Sequence, residues 1–174
     1  MGETLATPEF SIQVAKENLK FSAAHFIAYP GFREPLHGHN YQIGVRVEGG
    51  LAANGYVLDF GLIKRLTREI AQRLDERTII PLNSDCLKIM QDQGQIIVHY
   101  EKDYFAFPAK DVALLPIVHS SAEELARFVW NELHSALAAR DALADIISLE
   151  ISIAEGPGQA AVFRQSVTMA SNSR

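Results

Sequence analysis

Three histidines have a spacing that suits a metal site. His37 and His39 are separated by one residue at the start of a predicted strand, so both side chains leave the same face, because side chains alternate along a strand. His25 lies in the apolar phase of the preceding strand. If these strands are antiparallel neighbours, three imidazoles converge, as in a catalytic zinc site with an open fourth position. We prefer this to isolated core or surface histidines, because a strand rarely places two imidazoles in its apolar phase without a partner.

A carboxylate occupies the apolar phase of a late predicted strand. Leu149, Ile151, Ile153 and Glu155 share one face by two-residue alternation. A buried carboxylate needs hydrogen-bond donors, and the edge of an amino-pyrimidinone ring would supply two parallel N–H groups. The alternative is that the strand has ended and that Glu155 is solvated.

The strands that must position these residues follow from hydrophobic periodicity. Alternation over 10–27 predicts one strand, or two joined near Asn18, and alternation over 37–48 predicts the next strand. The other predicted strands are a hairpin over 95–107 and two closing strands over 146–155 and 160–168.

Two amphipathic helices are predicted between these strands. Apolar residues recur every four positions from Leu62 to Leu74, and Asp59 is the expected N-cap. Ser121 and Glu124 have the spacing of a capping box, which predicts the start of the second helix. The order of two strands, a helix, a hairpin, a helix and two strands indicates an α+β fold with an antiparallel sheet.

Composition limits the class of protein. The chain has 174 residues and a formal net charge of −5, with 48% hydrophobic and 21% charged residues, which fits one globular domain over 1–174. We interpret residues 87–115 as a peripheral hairpin insert. The single cysteine, Cys86, excludes a disulfide scaffold, and with no signal-peptide pattern we expect a cytoplasmic protein. No apolar run approaches the ~20 residues that span a bilayer, and the acidic balance argues against nucleic acid as a partner.

Several of these residues together resemble a known family. The segments that carry the resemblance are Phe21-Ser-Ala-Ala-His25, Leu36-His-Gly-His-Asn-Tyr41, Asp59-Phe60, Glu123-Glu124 at a helix start, and Glu155. They are similar to the 6-pyruvoyltetrahydropterin synthase and 6-carboxytetrahydropterin synthase (QueD) family over nearly the whole chain. The resemblance implies the tunnelling fold (T-fold), in which two helices cover one face of an antiparallel sheet and the subunits form a shared β-barrel. It also implies a homohexamer, a dimer of trimers, with active sites at subunit contacts.

The resemblance also implies the composition of the site. Zn²⁺ would be bound by His25, His37 and His39. Glu155 would hold the pterin ring of the substrate. Ser121 and Glu123 match other positions of the family that line the same pocket.

The sequence departs from the commoner branches of the family at the catalytic positions. Those branches have a cysteine four to six residues before the His-Gly-His motif, but residues 31–36 contain none. Glu34 is the only general base there, which resembles the type III branch, in which glutamate replaces cysteine. The family has an Asp-His pair after the first helix, and this sequence has Asp75-Glu76 there. We therefore expect Glu34 and Asp75 as catalytic residues. His119 is the nearest substitute for the missing histidine.

The type III resemblance implies a function. The substrate would be a small pterin triphosphate, 7,8-dihydroneopterin triphosphate, and the product 6-hydroxymethyl-7,8-dihydropterin for folate synthesis. Two alternatives stay open. One is a 6-pyruvoyl- or 6-carboxy-tetrahydropterin synthase of biopterin or queuosine synthesis, and the other is a non-catalytic protein that binds zinc and a pterin.

Overall fold

The architecture comes from a computed structural model, which describes residues 9–167 of the chain. Two helices, α1 (Phe60–Leu74) and α2 (Ala122–Ala138), interrupt a series of strands. The strands are β1 (Phe10–His25), β2 (Ala28–Tyr29), β3 (Phe32–Arg33), β4 (His37–Gly49), β5 (Arg77–Pro81), β6 (Lys88–Asp92), β7 (Gln95–Tyr100), β8 (Asp103–Pro108), β9 (Val112–Leu115), β10 (Ile146–Gly156) and β11 (Gln159–Ser166).

The main sheet has six strands in the order β11-β10-β4-β1-β5-β9. The first four are antiparallel neighbours, as predicted, but β5 pairs with β1 in parallel and β9 pairs with β5 in parallel. The sheet is therefore mainly antiparallel, as predicted, with two short parallel strands at one edge that the sequence analysis did not predict. Strands β5 and β9 have five and four residues, too few to show a two-residue period in the sequence.

The strands that carry the candidate site lie where periodicity predicted them. Residues 10–25 form one strand rather than two, and its register against β4 shifts between Ala15 and Lys20. The closing strands β10 and β11 are antiparallel partners. The predicted end of the last strand, Thr168, lies outside the described residues.

Both helices begin at the predicted caps. The Asp59 carboxylate accepts the backbone N–H of Gly61 at 2.8 Å, and the Ser121 hydroxyl accepts that of Glu124 at 3.4 Å. The helices contact one another and the same side of the sheet, α1 against β1 and α2 against β10 and β11. Their apolar faces and the inward side chains of the sheet form one core. No helix in residues 9–167 is long and apolar enough to cross a membrane.

The insert is larger than a hairpin. The predicted pair is present as β7 and β8, and β6 adds a third antiparallel strand beside β7. This small sheet has its own apolar cluster, which includes Phe26 and Ile80 from the main body of the protein. The insert therefore packs against the segment that follows β1.

Candidate active site

The three predicted ligands converge because of the register between β1 and β4. His25 lies directly opposite His37, and Ala23 lies opposite His39, so all three rings lie at one end of the strand pair. One nitrogen from each ring lies within 4.8 Å of the others. Among residues 9–167 these histidines form a cluster that could hold a metal ion. The convergence predicted from side-chain alternation is confirmed.

Backbone carbonyls orient two of these rings. The Nδ1 of His25 lies 2.7 Å from the Ser120 carbonyl oxygen, and the Nδ1 of His37 lies 2.8 Å from that of Pro35. A carbonyl oxygen only accepts, so each Nδ1 carries the proton and each Nε2 keeps a free lone pair. The Nε2 of His25 is buried and has no hydrogen-bond partner within the described residues. Burial lowers the pKa of His25, which favours the neutral, ligating form.

This arrangement fits a zinc ion. A buried nitrogen lone pair without a partner is costly, and a metal would satisfy it. Three imidazoles, two of them held by backbone acceptors, are a donor set that zinc prefers in catalytic sites. Ser120 is part of this support, and the sequence analysis did not identify it because a backbone carbonyl leaves no residue-type signal.

Glu34 is held beside the strand end that carries His25. Its backbone N–H donates to the Ile27 carbonyl at 2.9 Å, and its carboxylate accepts the Ile27 N–H at 3.0 Å. The turn between β2 and β3 brings the chain back to this position, with Gly31 at φ +84°, where glycine is favoured. Glu34 is half-buried, so it is not a freely solvated loop residue.

Tyr41, the last residue of the Leu36–Tyr41 segment, packs against the histidine cluster, a contact that the sequence analysis did not predict. Its ring stacks on Phe21 at 4.7 Å and meets the rings of His25 and His39 edge-on. The side chain is fully buried, yet its hydroxyl has no hydrogen-bond partner among residues 9–167. Burial, together with the negative charges of Glu155 and Glu34, raises the pKa of Tyr41.

The three predicted substrate-binding residues line one cavity. Ser121, Glu123 and Glu155 surround a space of about 410 Å³, together with Ile27 and Ile153. A cavity of this size suits a small ligand. Strand β10 continues to Gly156 and Glu155 is half-buried, which argues against a carboxylate that is merely solvated beyond a strand end.

Comparison with known proteins agrees with this geometry. The family model described as 6-pyruvoyl tetrahydropterin synthase matches residues 13–166. The chain belongs to the 6-pyruvoyl tetrahydropterin synthase family. Proteins of this family are lyases that act on pterin substrates and assemble as multimers.

Individual members of the 6-pyruvoyl tetrahydropterin synthase family resemble the chain in sequence and fold. A Methanocaldococcus jannaschii protein, named provisionally as 6-carboxy-5,6,7,8-tetrahydropterin synthase, is 34% identical over 84% of this chain and 90% of its own length. The 6-pyruvoyl tetrahydropterin synthase of Plasmodium vivax is 32% identical, with a TM-score of 0.87 over 91% of this chain and 99% of its own. Two further structures of that protein replace a glutamate, described as catalytic, by alanine or cysteine. The dihydroneopterin monophosphate aldolase of Pyrococcus furiosus is 37% identical over 34% of this chain and 50% of its own length.

Asp75, an expected catalytic residue, and His119, the expected substitute for the family's histidine, lie apart from the cavity that Glu155 lines. The Asp75 carboxylate accepts the backbone N–H of Ser22 at 2.7 Å and lines a different cavity, with Lys20 and Arg68. The Nδ1 of His119 lies 3.1 Å from the Ala28 carbonyl oxygen, so it supports the segment after β1. Cys86 directly precedes the insert, and its Sγ lies 3.6 Å from the Ser84 hydroxyl oxygen.

Proposed function

We propose that this protein cleaves the side chain of 7,8-dihydroneopterin triphosphate to give 6-hydroxymethyl-7,8-dihydropterin, a folate precursor. The observation that carries the proposal is a glutamate, Glu34, where the commoner branches of the family have cysteine, held beside a cluster of three histidines. The catalytic glutamate of the Plasmodium vivax protein supports a glutamate as a catalytic residue, and the aldolase name of the Pyrococcus furiosus relative supports cleavage of the side chain.

The three histidines are the proposed ligands of a zinc ion. When bound, zinc would act as a Lewis acid that polarises the hydroxyl groups of the substrate side chain and lowers their pKa. His25 and His37 contribute by keeping their Nε2 lone pairs free, because the Ser120 and Pro35 carbonyls fix the proton on Nδ1.

Glu34 is the proposed general base. Its carboxylate would take the proton from the hydroxyl on the second side-chain carbon. That oxygen becomes a carbonyl as the bond between the first and second side-chain carbons breaks, and the outer two carbons leave as an aldehyde that carries the triphosphate. The electron pair passes towards the ring, and Glu34 returns the proton to the carbon that stays attached. Proton and electrons balance without a further reactant. Asp75 lines a different cavity of the same chain, so we propose it as a second proton-transferring group that reaches a substrate across a subunit contact.

Glu155 is the proposed anchor of the pterin ring. In Glu155→Gln, one acceptor oxygen becomes a donor that faces a ligand N–H, so the affinity for neopterin, measured by calorimetry, should weaken by ~2 kcal/mol or more. Zinc content should stay at the wild-type level. Glu150→Gln, on the opposite face of the same strand, is the matched control. Wild-type affinity in Glu155→Gln would show that Glu155 does not hold the ring.

Two other functions predict different products. The name of the Methanocaldococcus jannaschii relative favours a 6-carboxytetrahydropterin synthase as the second candidate, with 6-pyruvoyltetrahydropterin as the related product. A protein that only binds zinc and a pterin would release no product. Incubation with dihydroneopterin triphosphate, and separately with the monophosphate, followed by mass analysis of the pterin, separates all three. Carboxy- or pyruvoyl-pterin, or no product, would contradict hydroxymethyl-pterin formation.

We propose a homohexamer, a dimer of trimers whose sheets close into a barrel. The outer strands β11 and β9 present unpaired backbone groups, and Val162 and Leu114 are exposed apolar residues on these strands. Sedimentation velocity at micromolar concentration should therefore give about six times the 19.3 kDa chain mass. A monomer under these conditions would contradict both the assembly and active sites at subunit contacts.

A further inference from the structure

The insert reaches the loop that carries Glu34 through an ion pair. Arg33 extends from β3 to Asp103 at the start of β8, and its Nε and one terminal nitrogen both lie 2.7 Å from the same carboxylate oxygen. The other terminal nitrogen donates to the Glu34 backbone carbonyl at 2.6 Å. One side chain thus ties Asp103 of the insert to the backbone of Glu34.

A second contact comes from the same end of the insert. The Tyr100 hydroxyl donates to the Tyr29 carbonyl in β2 at 3.0 Å. Tyr100 and Asp103 are cross-strand partners that flank a two-residue turn, in which Glu101 has φ 48°. Both strands of the small β2–β3 hairpin are therefore held by one tight turn of the insert.

Aromatic side chains extend the contact between the insert and the main body to the residue next to the candidate metal ligand His25. Phe105 of β8 stacks on Phe26 with ring centroids 5.0 Å apart, and the Arg33 guanidinium lies 5.1 Å from the centre of the Phe105 ring. Phe26 is almost fully buried and directly follows His25. A planar cation over an aromatic face strengthens the ion pair by fixing the orientation of the guanidinium.

The β2–β3 hairpin needs such support. Each of its strands has two residues, and a two-stranded hairpin is at best marginally stable in water. Tyr29 and Phe32 stack on each other but are 47% and 44% exposed, so the hairpin buries little apolar surface of its own. His119 contributes one further hydrogen bond, to the Ala28 carbonyl.

We propose that the insert supports the catalytic loop, and that Asp103 and Tyr100 are positioning residues that fix Glu34 through Arg33 and Tyr29. This inference rests on the proposed role of Glu34. The insert, which the sequence analysis interpreted as peripheral, thereby becomes part of the machinery that sets the turnover rate. The candidate metal ligands and the residues that line the candidate substrate cavity lie outside the insert, so the insert should affect the position of the base and not the binding of either ligand.

Asp103→Asn tests the proposal because it removes the charge at similar size. Amide exchange in residues 27–34 should become about three- to tenfold faster, which corresponds to the loss of one partly exposed ion pair. The kcat should fall by a similar factor, with KM and zinc content unchanged. Tyr100→Phe, which removes only the hydroxyl bond to Tyr29, should show a smaller effect of the same kind. Glu132→Gln removes the Arg73–Glu132 ion pair between the helices and should change none of these quantities.

A double variant, Asp103→Asn with Glu34→Gln, distinguishes an effect on the position of Glu34 from a general loss of rigidity in the protein. If Asp103 acts through Glu34, then Asp103→Asn should cause no further loss of kcat in a Glu34→Gln background. An equal loss in both backgrounds, or unchanged exchange in residues 27–34, would overturn the proposal. Absence of turnover in the wild-type protein would overturn the proposed function alone, because the exchange measurement would still decide whether the insert holds the loop.

Discussion

Glu34→Gln should lower kcat by roughly 10²–10⁴-fold, the usual contribution of a positioned general base. The substitution is conservative in this structure, because the Gln side-chain oxygen can still accept the Ile27 N–H that the carboxylate accepts now. The backbone bond from Glu34 to the Ile27 carbonyl is also unaffected. What is lost is the ability to take a proton. Steady-state kinetics with dihydroneopterin triphosphate measure the effect.

Zinc content, melting temperature and KM of the Glu34→Gln protein should remain close to the wild-type values, which shows that the loss lies in the chemical step. Glu132→Gln, the same chemical change on a helix surface away from the site, should keep full activity. Wild-type turnover in Glu34→Gln would reject Glu34 as the base, and Asp75, Glu76 or His119 would then be tested in the same way.

The histidine cluster was predictable because it depends on local rules. Alternation along β1 and β4 places His25, His37 and His39 on the apolar face, and the antiparallel register then brings them to one end. The same alternation placed Glu155 in phase with the apolar residues of β10, and the structure has it half-buried near the end of that strand. The helix starts followed from Asp59 and Ser121, whose side chains cap the first turn.

The features that the sequence did not predict depend on contacts between residues far apart in the chain. Arg33 and Asp103 are 70 residues apart, and nothing in either segment indicates that they meet. The parallel strands β5 and β9 are short, and their pairing depends on where α1 and the insert return the chain. The unpaired Tyr41 hydroxyl carried a weak signal, a polar group in an otherwise apolar phase next to the His-Gly-His motif.

His37→Ala should abolish stoichiometric zinc binding. His37 is the exposed member of the cluster, whereas His25 is buried, so its removal tests the metal site with the least disturbance of the core. Removal of a residue that hydrogen-bonds to a zinc ligand typically weakens zinc affinity by about 10–100-fold. Removal of a direct ligand should therefore weaken zinc affinity by more than about 100-fold. Metal analysis after gel filtration and competition with a chelator measure the change.

The melting temperature of the protein should depend on whether zinc is present. If zinc binds the folded wild-type protein, as proposed, it should raise the melting temperature by an amount set by the ratio of free zinc to its dissociation constant. A chelator should then lower the melting temperature. In His37→Ala, neither addition should have this effect. His99→Ala, which removes an imidazole from the insert, should keep one zinc per chain and the full thermal shift. Tightly held, stoichiometric zinc in His37→Ala would refute the three-histidine site, because two imidazoles alone would then suffice to hold the ion.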